Sequence, residues 1–230
     1  MSSQGGTEMP RGLLTYRERL TQVSTADKVA EILRERIAEG DFTPGARLSE
    51  ERISRALGVS RNSLREAFRL LVRERLVVHE MNRGVFVRVP SARDVEDLFE
   101  LRRMLETAAI RASVGTDLSA VLAAVERGER AASDGDWASV ATADLHFHRA
   151  LTALLGSERV DEIMERFMAE LRLVFHAMQA ASGFHEPYLR RNRLMADLLL
   201  AREVEQAAAE LEAYLADAQA ELLSASGIHE

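Results

Sequence analysis

At 230 residues, 47% hydrophobic and 29% charged, the chain suits two domains better than one compact helical unit, and its lack of cysteine excludes disulfides, thiolate nucleophiles and thiolate zinc sites. No apolar run is long enough to span a membrane and the start MSSQGGTEMPRG has no apolar signal core, so a cytoplasmic protein is expected. The net charge of −7 divides unevenly, with 16 basic and 12 acidic side chains in residues 1–90 against 14 and 25 in residues 91–230, as for a phosphate-binding module joined to a domain that avoids nucleic acid.

Residues 1–23, rich in Gly, Ser and Gln, read as a flexible tail. From Ala26 to Glu39 the positions Val29, Ile32, Leu33 and Ile37 form a helical stripe, which Gly40 and the turn Pro44-Gly45 bring to an end. Between Leu48 and Leu71 two amphipathic patterns flank a glycine break. Ile53 and Leu57 mark the first helix, and Leu64, Phe68 and Leu71 mark the second. Gly58 can take the positive φ that ends a helix in one residue, Ser60 is a good N-cap, and the small Ser54 lets two steeply crossing helices approach. This spacing predicts a helix-turn-helix whose second helix begins with the polar residues Arg61, Asn62, Ser63 and Arg65, the composition of a helix whose N-terminus enters the DNA major groove. Two β-branched runs, Leu76–Glu80 and Val85–Val89, flank Met81-Asn82-Arg83-Gly84 and predict a hairpin. Residues 24–90 are therefore expected to be a winged helix-turn-helix.

Pro90-Ser91-Ala92-Arg93-Asp94 reads as a joint, and residues 91–230 as an all-helical antiparallel bundle. Val95, Leu98, Leu101, Met104 and Leu105 form the first stripe. Further helices are expected near Ala120–Ser133, from Trp137 to the stop at Gly156-Ser157, and over Val160–Met178, Pro187–Ala201 and Glu203–Ser224, with Gly183 and Pro187 marking a turn.

The stretches GDFTPGARLSE, RALGVSRNSLREAFRLLVRERLV and RGVFV, within residues 26–89, resemble the DNA-binding domain of GntR-type bacterial transcription regulators. The resemblance implies that Arg61 and Arg65 contact guanine and phosphate beside Ser60, Asn62 and Ser63. It also implies that Arg83 and Gly84 form a wing tip entering the minor groove; Arg47, before the motif, joins this candidate DNA-binding set. Where several relatives have an arginine on the first motif helix, this chain has Glu51, and that contact is not expected. An arginine that grips guanine O6 and N7 together adds roughly 1–3 kcal/mol of base discrimination. One such domain buries little DNA, so a homodimer on a palindromic operator is expected.

Residues 91–224 resemble the FCD ligand-binding domain of the FadR-like GntR subfamily, through LFELRRMLE at Leu98–Glu106 and DLHFHRAL at Asp144–Leu151. Many members hold a divalent metal with an Asp-x-x-x-His pair and two later histidines. Asp144 and His148 match the pair, whereas the later positions fall at Asn192 and Tyr214, neither of which is histidine. An amide and a phenol are poor ligands for zinc or nickel, so Asp144 and His148 stand as metal candidates only against this departure. The resemblance adds Arg102, which would hold a small organic acid with Asp144, His148, Asn192 and Tyr214, or would pair with Glu106 four residues on. His176 is a further candidate for the cavity wall, set against a core or surface position. The expected function is a ligand-responsive repressor rather than an enzyme. The alternatives are a metal-dependent hydrolase using Asp144 and His148, and a DNA-architectural protein with a purely dimerising bundle.

Overall fold

The computed structural model describes residues 24–177 and 182–225, so the expectation of a flexible tail in residues 1–23 lies outside them. It shows a winged helix-turn-helix followed by an all-α bundle. The first helix, α1 (Thr25–Ala38), starts with a capping box in which Ser24 and Asp27 satisfy each other's backbone N–H. Its buried face is Val29, Ala30, Leu33 and Ile37; Ile32, expected in that stripe, is exposed.

Helices α2 (Glu50–Leu57) and α3 (Arg61–Arg73) form the predicted motif. Gly58 has φ +64°, a left-handed conformation that costs glycine little, and Val59 N–H then bonds back to the Ser54 carbonyl, closing the end of α2. The Ser60 hydroxyl accepts from the Ser63 N–H at 3.1 Å and starts α3. Leu64, Ala67 and Leu71 are fully buried, Phe68 nearly so. Burying a leucine or phenylalanine contributes roughly 1.5–3 kcal/mol, so this face anchors α3 while its first turn stays outside.

A three-stranded antiparallel sheet closes the domain in the order β1-β3-β2: β1 (Arg47–Leu48), β2 (Val77–Glu80) and β3 (Gly84–Val87). β2 and β3 make the expected hairpin, β2 starting one residue later and β3 ending two residues earlier than expected, with Asn82 at φ +62° in the turn and Gly84 at φ +110° opening β3. Sequence patterning does not reveal β1. Two residues hold no period, and the strand exists because Arg47 and Leu48 pair with Phe86 and Val85.

Ser91 and Asp94 form a second capping box at the start of α4 (Ala92–Ala112). Asp94 also pairs with Arg88 at 2.7 Å, tying the end of the wing to the bundle. The bundle continues with α5 (Ser119–Ser133), α6 (Trp137–Ala153), α7 (Glu158–Ala177), α8 (Ser182–Leu200) and α9 (Val204–Ala225). α5 packs along α6, and α9 along α4 and α8. Phe147, Leu151, Met164, Leu211 and Leu215 occupy the centre with no exposed surface.

Two expectations about the bundle need correction. Helix α8 starts before Pro187 and contains it. The proline sits in the second turn, so its missing N–H removes a single intrahelical bond. The ring contacts of Phe175 on α7 with Phe184 and His185, 5.6 and 5.1 Å between centroids, and of Tyr188 with Tyr214 on α9 at 4.8 Å hold that end of the helix against the core. In α4, Met104 is exposed, and the buried stripe runs through Val95, Leu98, Phe99, Arg102, Glu106 and Ile110. Two charged residues thus occupy core positions.

Helix α7 belongs to both parts of the molecule. Its Leu173 is buried in the winged domain's core, and the His176 Nε2 lies 2.8 Å from the Ala38 carbonyl at the end of α1. His176 therefore does not line the bundle's polar site; it bridges to the winged domain.

Candidate functional site

Two clusters of predicted residues emerge. The first is on the winged domain. Arg61, Asn62 and Arg65 are exposed on the first turns of α3, with Ser63 half-buried and Ser60 exposed at the cap. Arg47 and Arg83 are exposed as well. A Cβ added to Gly84 would lie 3.5 Å from the Arg47 Nε, so β1 and the wing tip present Arg47, Arg83 and Gly84 together. Arg83 lies over the Phe86 ring, 5.3 Å from its centroid, and pairs with Glu80. A cleft between α3 and the wing is lined by Arg65, Phe68, Arg69, His79 and Val85, among others. Arg47 and Arg61 have no ion-pair partner among the described residues, which leaves their charge available to a polyanion. Glu51 pairs with Arg55 at 2.7 Å on the exposed face of α2.

The second cluster lies inside the bundle, where all five effector candidates meet. Asp144 and His148 come from α6, Asn192 from α8, Tyr214 from α9 and Arg102 from α4, none of them more than 8% exposed. The Asn192 amide donates to Asp144 Oδ1 at 2.8 Å, and the Tyr214 hydroxyl donates to the same oxygen at 2.9 Å. His148 Nε2 lies 3.0 Å from that hydroxyl, and its Nδ1 lies 2.6 Å from Glu106 Oε2. Arg102 Nε donates to Glu106 Oε1 at 2.8 Å, with the guanidinium over the Phe99 ring. The chain Arg102–Glu106–His148–Tyr214–Asp144–Asn192 thus links four helices.

Electrostatics follow from this arrangement. Burial alone would push the Asp144 carboxyl up, but His148, His185, the Asn192 bond and Arg102 together hold it below the usual carboxylate range. Glu106 is also held low, because Arg102 and His148 outweigh its burial. Burial and the charge on Asp144 push the Tyr214 phenol well above its usual value, so the ring stays a neutral hydroxyl. Among the buried polar atoms without a partner, two belong to this network: Arg102 Nη2, a donor, and Asn192 Oδ1, an acceptor. Unpartnered buried groups of this kind cost free energy and mark a place where a ligand group would bond.

The residues fit a divalent metal poorly. Both nitrogens of His148 already face partners, and the positions across from it are an amide and a neutral phenol. Among the described residues no group of three or more His, Cys, Asp or Glu side chains is arranged to hold an ion.

Glu106 belongs to the network but is absent from the sequence-derived set. The signal was its position four residues after Arg102, which on most helices marks a surface pair. His185 is also buried near the site; its ring packs edge-on against Phe175 at 5.1 Å, and burial lowers its pKa. Exposed His146 faces away, lining a cleft with Arg127 and Arg130.

Residues 25–87 match the family described as bacterial regulatory proteins, gntR family, and residues 97–217 match the FCD domain. The Nta operon transcriptional regulator of Aminobacter aminovorans is 30% identical over 165 residues, covering 68% of this chain and 76% of that protein. The gluconate operon transcriptional repressor of Bacillus licheniformis is 32% identical over 117 residues, covering 47% of this chain and 48% of its own length. A crystal structure described as a transcriptional regulator GntR from Rhodococcus sp. RHA1 is 48% identical with a TM-score of 0.85, over 88% of this chain and 99% of that one.

Proposed function

The chain belongs to the GntR family of bacterial regulatory proteins and is a transcription regulator with an FCD domain, not an enzyme; from that premise we propose that it is a cytoplasmic repressor that binds a palindromic operator as a homodimer and releases it on sensing a small organic acid. The observation that carries the DNA-reading half is the division of α3 into a face with Leu64, Ala67 and Leu71 fully buried and a first turn with Arg61, Asn62 and Arg65 exposed. A helix anchored on one side and polar at its N-terminus can enter the major groove without disturbing the core. Arg47, Arg83 and Gly84 on the wing supply phosphate and minor-groove contacts. A dimer setting two such helices about 34 Å apart reads two half-sites.

In the sensing half, the acid's carboxylate accepts from Arg102 Nη2, and a donor on the same molecule reaches Asn192 Oδ1. These are the two atoms of the buried network left without partners. Arg102 and Asn192 are buried, so a molecule reaching these atoms must displace neighbouring side chains, and binding rearranges contacts among α4, α6, α8 and α9. Helix α7 packs against α6 and carries Leu173 and His176 into the winged domain, a physical connection between effector site and DNA reader. Such a ligand changes operator affinity only if it binds the two arrangements unequally. The site is proposed to work without a resident metal, as its donor chemistry suggests.

Selection of duplexes from a randomised pool, followed by Arg65→Ala, tests the DNA-reading half. A palindromic consensus whose preference collapses in the variant is expected, and a chain that enriches no sequence would sink the reading. Metal analysis of protein purified without a metal-affinity step addresses the site; stoichiometric zinc or nickel lost on changing His148 would overturn its metal-free operation.

A further inference from the structure

Three exposed arginines near the DNA-reading face pair within their own helix or hairpin. Arg55 uses Nη2 for Glu51, Arg69 uses Nη1 for Glu66, and Arg83 uses Nη1 for Glu80. Arg65 differs in partner and in the atom it uses. Its Nε lies 3.2 Å and 3.0 Å from the two carboxylate oxygens of Glu50, fifteen residues earlier and across the turn of the motif.

The choice of atom matters. A guanidinium gripping guanine O6 and N7 presents two parallel N–H groups, and pairs that consume a terminal nitrogen compete with that grip. The Glu50 carboxylate engages only Nε, and neither terminal nitrogen of Arg65 has a hydrogen-bond partner among the described residues. The carboxylate is itself well placed. Glu50 is the first residue of α2 after the Ser49 cap, where the helix dipole favours negative charge, and its side chain is 31% exposed against 58% for Arg65. The acid is thus the more fixed member of the pair.

From this geometry we infer that Glu50 is a specificity-determining positioning residue: by holding Arg65 at Nε across the helix-turn-helix, it aims the two terminal nitrogens at a base edge instead of letting the side chain swing to the nearest phosphate. The inference rests on the DNA-reading function proposed above. Its physical basis is that a flexible cation beside DNA is drawn to phosphate, which adds affinity without sequence information. Restricting its torsions redirects it towards bases. A carboxylate near a polyanion is unfavourable for non-specific binding, so Glu50 lowers affinity for arbitrary DNA while raising discrimination.

The test uses the full chain, the duplex it selects from a randomised pool, and a scrambled duplex of equal composition, with dissociation constants measured for each. Glu50→Ala is expected to lower the selected-to-scrambled affinity ratio by about tenfold, within the span of one guanine contact, while binding to the scrambled duplex stays equal or tightens. Glu50→Gln keeps an oxygen that can accept from Nε and is expected to retain part of the ratio. In an Arg65→Ala background, Glu50→Ala is expected to change the ratio no further. An unchanged ratio in Glu50→Ala would overturn the inference. So would parallel weakening on both duplexes with an equal loss in Glu50→Gln, since that pattern belongs to a purely structural acid. If the unaltered chain selects no sequence, the DNA-reading function itself fails, and this is visible before any variant is made.

Discussion

The molecule uses charge in two opposite ways. On the winged domain most arginines are exposed, and several pair with an acid three or four residues away, as in Glu51 with Arg55 and Glu80 with Arg83. Inside the bundle, Arg102 and Glu106 are also four residues apart, yet their side chains are 3% and 0% exposed and join a network drawn from four helices. The same sequence spacing yields a solvated pair in one place and a buried structural pair in the other. Screening by water makes the first nearly neutral in stability and leaves it free to exchange its partner for DNA. Desolvation makes the second costly to break, because either charge left alone would remain in the interior.

The largest expected effect tests the buried side. Glu106→Ala strands Arg102 and removes the acceptor facing His148 Nδ1, and should cost about 3–5 kcal/mol of stability by urea denaturation. A loss below about 1 kcal/mol would show that water reaches the network and that the contrast between the regions is false.

Acid titration sharpens the same point. The folded-state pKa of His185 is depressed by burial, so its contribution to stability is fully present above the usual histidine value of 6.5 and is lost as pH falls through the lower folded value. Asp144 and Glu106 are also depressed, from 3.8 and 4.5, and their contributions disappear at still lower pH. Thermal unfolding across pH 7 to 3 should therefore show stability falling in two stages, and His185→Gln should remove the upper one. A curve flat down to pH 4 would contradict the burial of His185.

A smaller effect is expected at Ser60→Ala, which removes the cap of α3 and should cost about 1 kcal/mol in the same denaturation experiment. Its consequence for DNA binding should exceed that, since the freed turn carries Arg61 and Arg65. The smallest change is Arg55→Ala on the exposed face of α2, expected to alter stability by no more than about 0.5 kcal/mol. A larger loss there would erase the distinction between surface and core pairs.

The helix-turn-helix was legible because each of its parts has a local cause: Gly58 for the left-handed turn, Ser60 for the cap, and Leu64, Phe68 and Leu71 for the buried face. Family pattern indicated that Asn192 and Tyr214 share a site with Asp144 and His148, and the four side chains do meet. Less local features were not legible. Met104 and Ile32 fit helical stripes, but helical periodicity does not say which neighbouring helix a face will meet, and both are exposed. Pro187 suggested a break because its usual penalty is local, whereas α8 is held by aromatic packing from outside the turn.

By itself, then, the sequence determined the order of elements, the division between a basic winged part and an acidic helical one, and the residue types at each candidate site, all of which follow from periodicity, capping and turn chemistry over a few residues. Tertiary structure alone decided that Glu106 completes the buried network, that His176 bridges α7 to α1, that Arg47 and Leu48 form a strand, and that Glu50 holds Arg65 by Nε. The physical reason is the same in each case. These contacts join residues 15 to 138 positions apart, and their energies depend on burial and orientation, which arise only when separate elements pack.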